Sequence, residues 1–184
     1  VRNMRSIGTD LERWTKQGLL RIFSSRPTLQ GLEQHLVLMY EAVREFQPAV
    51  VVVDPISNLT MHADDAGLKP TLMRLIDFLK VRQITAMFAS LTAANADAED
   101  SEVGVSSLMD AWLLVKNIES KGERNRGLYI LKARGIAHSN QVREFMLTDH
   151  GIELVDTYIG AEGVLMGSAR SSQVARERAA EVER

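Results

Sequence analysis

The chain has 184 residues, enough for one domain with a sizeable buried core, and its 45% hydrophobic and 25% charged residues are ordinary for a globular protein. A net charge of −2 creates no global field toward nucleic acid or an anionic membrane, and the lack of cysteine excludes disulfides and thiolate metal sites, in keeping with a reducing cytoplasm. The apolar runs are short and broken by charge, far below a membrane span.

In chain order, the sequence opens Val1-Arg2-Asn3 with neither an initiator Met nor an apolar leader, the expectation for the interior of a longer protein. Thr9 or Asp10 caps a short helix through Lys16, stopped by Gly18, and Leu19 to Phe23 reads as a brief apolar strand. Leu32, Leu36, Tyr40, Val43 and Phe46 recur at helical spacing, which predicts a helix from Gly31 to Phe46 ended by Pro48. Val50 to Val53, four β-branched residues in a row, suits a central parallel strand that closes on Asp54-Pro55. Leu68, Leu72, Leu75, Ile76 and Leu79 mark another helix, with Pro70 expected in its first turn. Ile84 to Leu91 is the next strand.

Beyond this point the helices stop. Ala111 to Ile118, Gly127 to Arg134 and Val142 to Leu147 read as three strands joined by polar turns, an antiparallel extension of the sheet. From Ser168 onward the composition is Ala, Arg and Glu with few apolar residues, a charged helical tail expected to lie outside the core and to fray unless something pairs with it.

Three groups of residues are candidates for chemistry, and a fourth feature bears on them. Asp54 stands at the carboxyl end of a buried strand, where open α/β sheets bind ligands, and four apolar residues before an acid is the Walker B pattern. An Asp capping a turn before proline is the plainer explanation of the same residues. Lys132 and Arg134, two apart, share a strand face and could meet phosphate oxygens, although a solvated basic strand end is the commoner case. Ser106 and Ser107 precede a strand as turn hydroxyls usually do. The fourth feature is an absence: no G-x-x-x-x-G-K-[ST] phosphate loop occurs in the 184 residues.

Together the segments GLEQHL (31–36), VVVVDPISNL (50–59), VSSLMD (105–110), GERNRGLYILKARGIAHSNQVREF (122–145) and TDHG (148–151) resemble the second part of a KaiC-family ATPase domain, in order and at similar spacing. The resemblance implies an α/β RecA-like P-loop NTPase core, truncated at the N-terminus, with a mostly parallel sheet and an antiparallel extension. It divides the chain into a partial ATPase domain, 1–163, and a charged tail, 164–184. By the same resemblance Asp54 is the Walker B acid, acting on Mg²⁺ through water. Lys132 and Arg134 would reach the γ-phosphate of ATP held by a neighbouring protomer. Lys132, Ala133, Arg134, Ile136, His138, Thr148 and Asp149 would line that nucleotide, and Ser106 and Ser107 would be autophosphorylation sites.

The function so implied is an ATP-binding, ATP-hydrolysing cytoplasmic protein with serine/threonine autokinase activity, assembled as a hexameric ring, of which this segment alone is inactive. Signalling partners would dock on the C-terminal tail. The alternative is a nucleotide-controlled assembly or signalling module without significant catalysis. A nucleic-acid-handling role has neither a basic stripe nor an aromatic-rich loop to support it.

Overall fold

The computed structural model describes residues 2–24, 32–56, 65–91, 108–120, 122–155, 158–160 and 163–182. It divides into two compact units, one made of Arg21–Met109 and the other of Val1–Leu20 with Asp110–Arg184.

The first unit is a layer of two helices on a parallel strand pair. Helix α3 (Leu32–Phe46), the third of the chain, buries Leu36 and Val43, with Met39 and Tyr40 half-covered on the same stripe. Strand β1 (Val50–Val53) pairs in parallel with β2 (Thr85–Phe88), Val50 opposite Thr85 and Val53 opposite Phe88. Helix α4 (Asp65–Val81) connects them and buries Leu72, Leu75, Ile76 and Leu79 at the i, i+3, i+4, i+7 spacing that makes one continuous face. These side chains close over Val51, Val53 and Phe88 of the strands and Ile84 just before β2, and Leu72 and Leu79 are 1% and 0% exposed. Tyr40 and Phe78 stack between the helices with ring centroids 4.2 Å apart. Alternation along β1 leaves Val50 and Val52 exposed on the opposite face.

The second unit is built on a four-stranded antiparallel sheet in the order β3 (Ala111–Ser120), β4 (Glu123–Ala133), β5 (Arg143–Thr148), β6 (Gly151–Leu154). Short helices α1 (Arg2–Arg5) and α2 (Leu11–Lys16) precede it in sequence. After it come a small ladder, β7 (Tyr158–Gly160) with β8 (Gly163–Leu165), and helix α5 (Gly167–Val182). Asp10 caps α2, its carboxylate accepting from the Glu12 N–H at 3.1 Å, and Gly18 follows in the left-handed region at φ +71°.

Two local expectations change, and the tail finds a partner. Leu19 to Phe23 forms no strand among the described residues: the Leu19 and Leu20 N–H groups turn back to the Trp14 carbonyl at 3.0 and 3.2 Å, which closes α2 instead of opening a ladder. Helix α4 begins at Asp65, so Pro70 lies in its second turn, where it leaves the Ala66 carbonyl without its usual helical donor. The tail helix is anchored at its start. The Gly167 N–H donates to both oxygens of the buried Glu144, at 3.2 and 3.1 Å, and the Ser168 N–H donates to Glu123 at 3.0 Å. Arg170 adds an ion pair to Glu144 at 3.5 Å. Two carboxylates at a helix N-terminus complement its unpaired N–H groups and its dipole.

Candidate functional site

Asp54 is the first residue beyond the carboxyl end of β1. Its backbone is held on both sides. The Ala89 N–H donates to the Val53 carbonyl at 2.9 Å and the Ile56 N–H to the Ala89 carbonyl at 2.8 Å, so pairing resumes after Pro55. Ile56 is buried against Leu72 and fixes the far side of the turn, and the Asp54–Pro55 peptide is cis. Buried neighbours thus place an exposed carboxylate at a defined point of the strand end.

Lys132 and Ala133 end strand β4 in the other unit, and Arg134 is the first residue beyond it. Ala133 faces Ala111, and the Arg134 N–H extends the ladder to the Asp110 carbonyl at 2.8 Å. The register shifts between Trp112 and Leu113: Leu113 faces Ile130, whereas Trp112 faces Lys132. Leu131 is therefore an extra residue on β4. Simple alternation from Ile130 would put Lys132 on the face of Leu113, and the bulge moves it to the face of Trp112 and Leu114. Arg134, two residues on, is exposed.

The loop after β4 carries the next two candidates. Ile136 is 68% exposed, and His138 Nδ1 lies 3.1 Å from the Ile136 carbonyl. That contact puts the proton on Nδ1 and leaves Nε2 of the neutral ring as an acceptor.

Thr148 and Asp149 sit at the tip of the β5–β6 hairpin, where Thr148 pairs with Gly151. The Thr148 Oγ1 lies 3.2 Å from both the Gly151 carbonyl and Glu153 Oε1, and it accepts from the His150 N–H at 3.2 Å. The hydroxyl braces the tip, and the Asp149 carboxylate remains exposed beside His150 at 3.6 Å. Gly8, at φ +76°, lies against this tip: a Cβ built there would overlap the Asp149 carbonyl oxygen.

The sheet groups Lys132, Ala133, Arg134, Ile136 and His138 about one strand end and sets Thr148 and Asp149 apart. Arg126 faces Phe145 and Leu128 faces Arg143, so β5 runs from there toward the Glu123 end of β4. Thr148 lies three residues past Phe145, the last β5 residue that faces β4, and so toward the Glu123 end of β4 and away from Lys132. A ligand meeting both sets would lie along the sheet. Ser106 and Ser107 fall outside the described residues, and Asp54 belongs to the separate unit.

The family model described as "ATPase: KaiC" matches residues 1–158. The chain belongs to the KaiC family. The domain of this family is RecA-like, and the parallel pair with its antiparallel sheet is this chain's share of that α/β fold. Among KaiC relatives, the chain is 48% identical over 180 residues to the circadian clock protein KaiC2 of Synechocystis, covering 97% of this chain and 32% of that protein. It is 30% identical over 168 residues to the circadian clock oscillator protein KaiC of Thermostichus vulcanus, covering 91% and 32%. With the KaiC of Synechococcus elongatus it shares 28% over 169 residues, 91% of this chain and 33% of that protein. The chain spans about a third of the length of the curated relatives it matches.

For a KaiC-family site, the residues present suit a magnesium nucleotide in two respects. An exposed acid at a strand's carboxyl end suits the water shell of Mg²⁺, and cations at a strand end suit phosphate oxygens. The glycine-rich phosphate cradle is not among the 184 residues. The Leu131 bulge and the Gly8 contact escape a reading of the sequence alone, since both depend on contacts between segments distant in the chain.

Proposed function

We propose that this chain works within a longer KaiC-family protein that binds and hydrolyses ATP and transfers phosphate to its own serine or threonine residues. The observation that carries the reading is Asp54, held exposed at the carboxyl end of a parallel strand whose Val51 and Val53 pack under the helices. In this reading Asp54 orients the water shell of Mg²⁺. Lys132 and Arg134, projecting from the end of β4, meet the γ-phosphate of ATP on the next protomer. Ala133, Ile136 and His138 line that nucleotide with them, and Thr148 and Asp149 bound it farther along the sheet. Ser106 and Ser107 are the phosphate acceptors.

ATP supplies the phosphoryl group, and the work of these residues is to hold charge and geometry around it. Cations given in trans make turnover depend on assembly, which fits a closed head-to-tail ring, proposed here as a hexamer in the cytoplasm. The tail helix α5 offers the surface for signalling partners, and the 184 residues by themselves are inactive.

Mixed assembly of the full-length protein tests the reading. Arg134→Ala should lower turnover by up to about 10³–10⁵ while leaving ATP affinity nearly unchanged, because a trans cation acts mainly in the transition state. Asp54→Ala should also abolish turnover. Mixed rings of the two variants should regain activity at boundaries where an intact Asp54 faces an intact Arg134. Confirmed co-assembly without recovery refutes the trans assignment. Mass spectrometry should find phosphate on Ser106 or Ser107, and none there after prolonged incubation with ATP refutes the autokinase assignment.

A further inference from the structure

We propose that Gly8 is a positioning residue for the nucleotide edge formed by Thr148 and Asp149, an inference that rests on the assignment of those two residues to the nucleotide. After α1 the chain turns through Ser6 to Gly8, with the Gly8 N–H donating to the Arg5 carbonyl at 3.1 Å and the Thr9 N–H to the Met4 carbonyl at 2.9 Å. The turn needs φ +76° at Gly8, a region that side-chain-bearing residues rarely enter. It also brings the Gly8 backbone onto the hairpin tip. A Cβ at position 8 would overlap the Asp149 carbonyl oxygen and lie 3.1 Å from the Asp149 carbonyl carbon and 3.2 Å from the His150 Cα.

All three of these atoms are backbone. They cannot swing aside as the end of a flexible side chain would, so a side chain at position 8 must displace either the N-terminal turn or the hairpin tip. The tip is braced from within by the Thr148 hydroxyl and backed from outside by Gly8. Its Asp149 carboxylate remains exposed. Backing of this kind reduces the freedom that a ligand would otherwise have to remove on binding. Gly8 touches no ligand; it acts through the Asp149 backbone.

Gly18 supplies a matched control. It has a similar φ of +71°, and among the described residues no atom lies within 4 Å of the place its Cβ would take. Asn tolerates the left-handed region better than Ala, so Gly8→Asn relieves the dihedral demand and keeps the collision.

The test uses the full-length protein, with ATP affinity by calorimetry, steady-state turnover, and amide exchange at residues 148–151. Gly8→Ala and Gly8→Asn should each weaken ATP binding about tenfold and speed exchange at the tip, with kcat little changed. Gly18→Asn should leave all three readings as they are. Asp149→Ala should weaken binding similarly, and the Gly8→Ala/Asp149→Ala double variant should be no weaker than either single one. Normal exchange and affinity in Gly8→Ala, or a normal Gly8→Asn, overturns the inference. Exchange that rises equally in strands β3 and β4 assigns Gly8 a general structural role and also overturns it. If Asp149→Ala weakens binding and Gly8→Ala does not, the site reading stands and the role of Gly8 falls. If Asp149→Ala binds ATP normally while Gly8→Ala frees the tip, the nucleotide assignment fails at Asp149 and takes the inference with it.

Discussion

The Leu79 side chain is wholly buried in the cluster of Leu36, Val43 and Leu75, with Val51 and Phe88 from the strands packed against that cluster. Truncating such a side chain removes its transfer free energy and leaves a cavity, so Leu79→Ala should lower the stability of its unit by about 2–5 kcal/mol. Two positions along the same helix, Val81 is 81% exposed, and Val81→Ala should stay within about 0.5 kcal/mol. Both tryptophans, Trp14 and Trp112, lie in the other unit, so tryptophan fluorescence cannot report this loss. Urea titration followed by amide exchange across α3 and α4 can, and equal midpoints for the two variants would refute the burial argument. Among the individual residues, the position of Asp54 just past a strand was legible because four β-branched residues lead directly to it. Lys132 was legible as a cation, whereas its face was not. That face depends on Leu131 being extruded from the ladder, and nothing in Leu-Lys-Ala-Arg signals a bulge.

At the level of elements, periodicity located α3 and α4 well because their apolar stripes pack directly on β1 and β2. It misjudged Leu19 to Phe23, where apolar residues at a strand's length have their first N–H groups drawn back into a helix end. For α5 the composition left open what would pair with the helix, and the structure supplies carboxylates on β4 and β5 rather than apolar content of its own. The Glu123 carboxyl is held below the ordinary carboxylate range, first by the Ser168 backbone N–H and then by the Ser168 hydroxyl, with Asn125 assisting and burial opposing. An acid whose folded pKa is depressed stabilises fully above its unfolded value, about 4.3 for Glu, and that contribution is lost as pH falls through the folded value. The first turn of α5 should therefore be firm at neutral pH and loosen on acidification below the usual glutamate range. Amide exchange at residues 168–172, corrected for the intrinsic rate, should rise there. Glu123→Gln should flatten the part of the pH dependence that Glu123 supplies. A profile identical to the parent's would refute the assignment to Glu123.

Taken as a whole, the chain carries Asp54 in one unit and Lys132 and Arg134 in the other, and its sequence holds no loop of the kind that grips phosphate. That loop supplies backbone donors, a lysine and a hydroxyl for the metal, and neither Asp54 nor Arg134 substitutes for it. The 184-residue chain alone should accordingly give no micromolar heat of binding with Mg-ATP in calorimetry and no steady turnover. Clear micromolar binding would mean that the phosphate contacts come from residues not named above. The α/β class was readable from the alternation of helical and strand periods. The split into a parallel pair and a separate four-stranded sheet was less so, because which strands pair depends on long-range contacts that local pattern does not encode.

The β3–β4 hairpin has a consequence for the order of events as the chain folds. Ser120 faces Glu123, so the ladder closes over a two-residue connection and grows by adding neighbours, a process of microseconds in isolated hairpins, roughly 1–10 μs. The β1–β2 pair is parallel and cannot begin until α4 has been threaded between Val53 and Thr85, a far longer loop to close. In a pulse-labelling experiment during refolding, amides of Leu113, Val115, Leu128 and Ile130 should gain protection before those of Val51 and Ala86. Simultaneous protection would mean that the two units fold as one cooperative whole. The reverse order would place the nucleus in the helix-covered parallel pair.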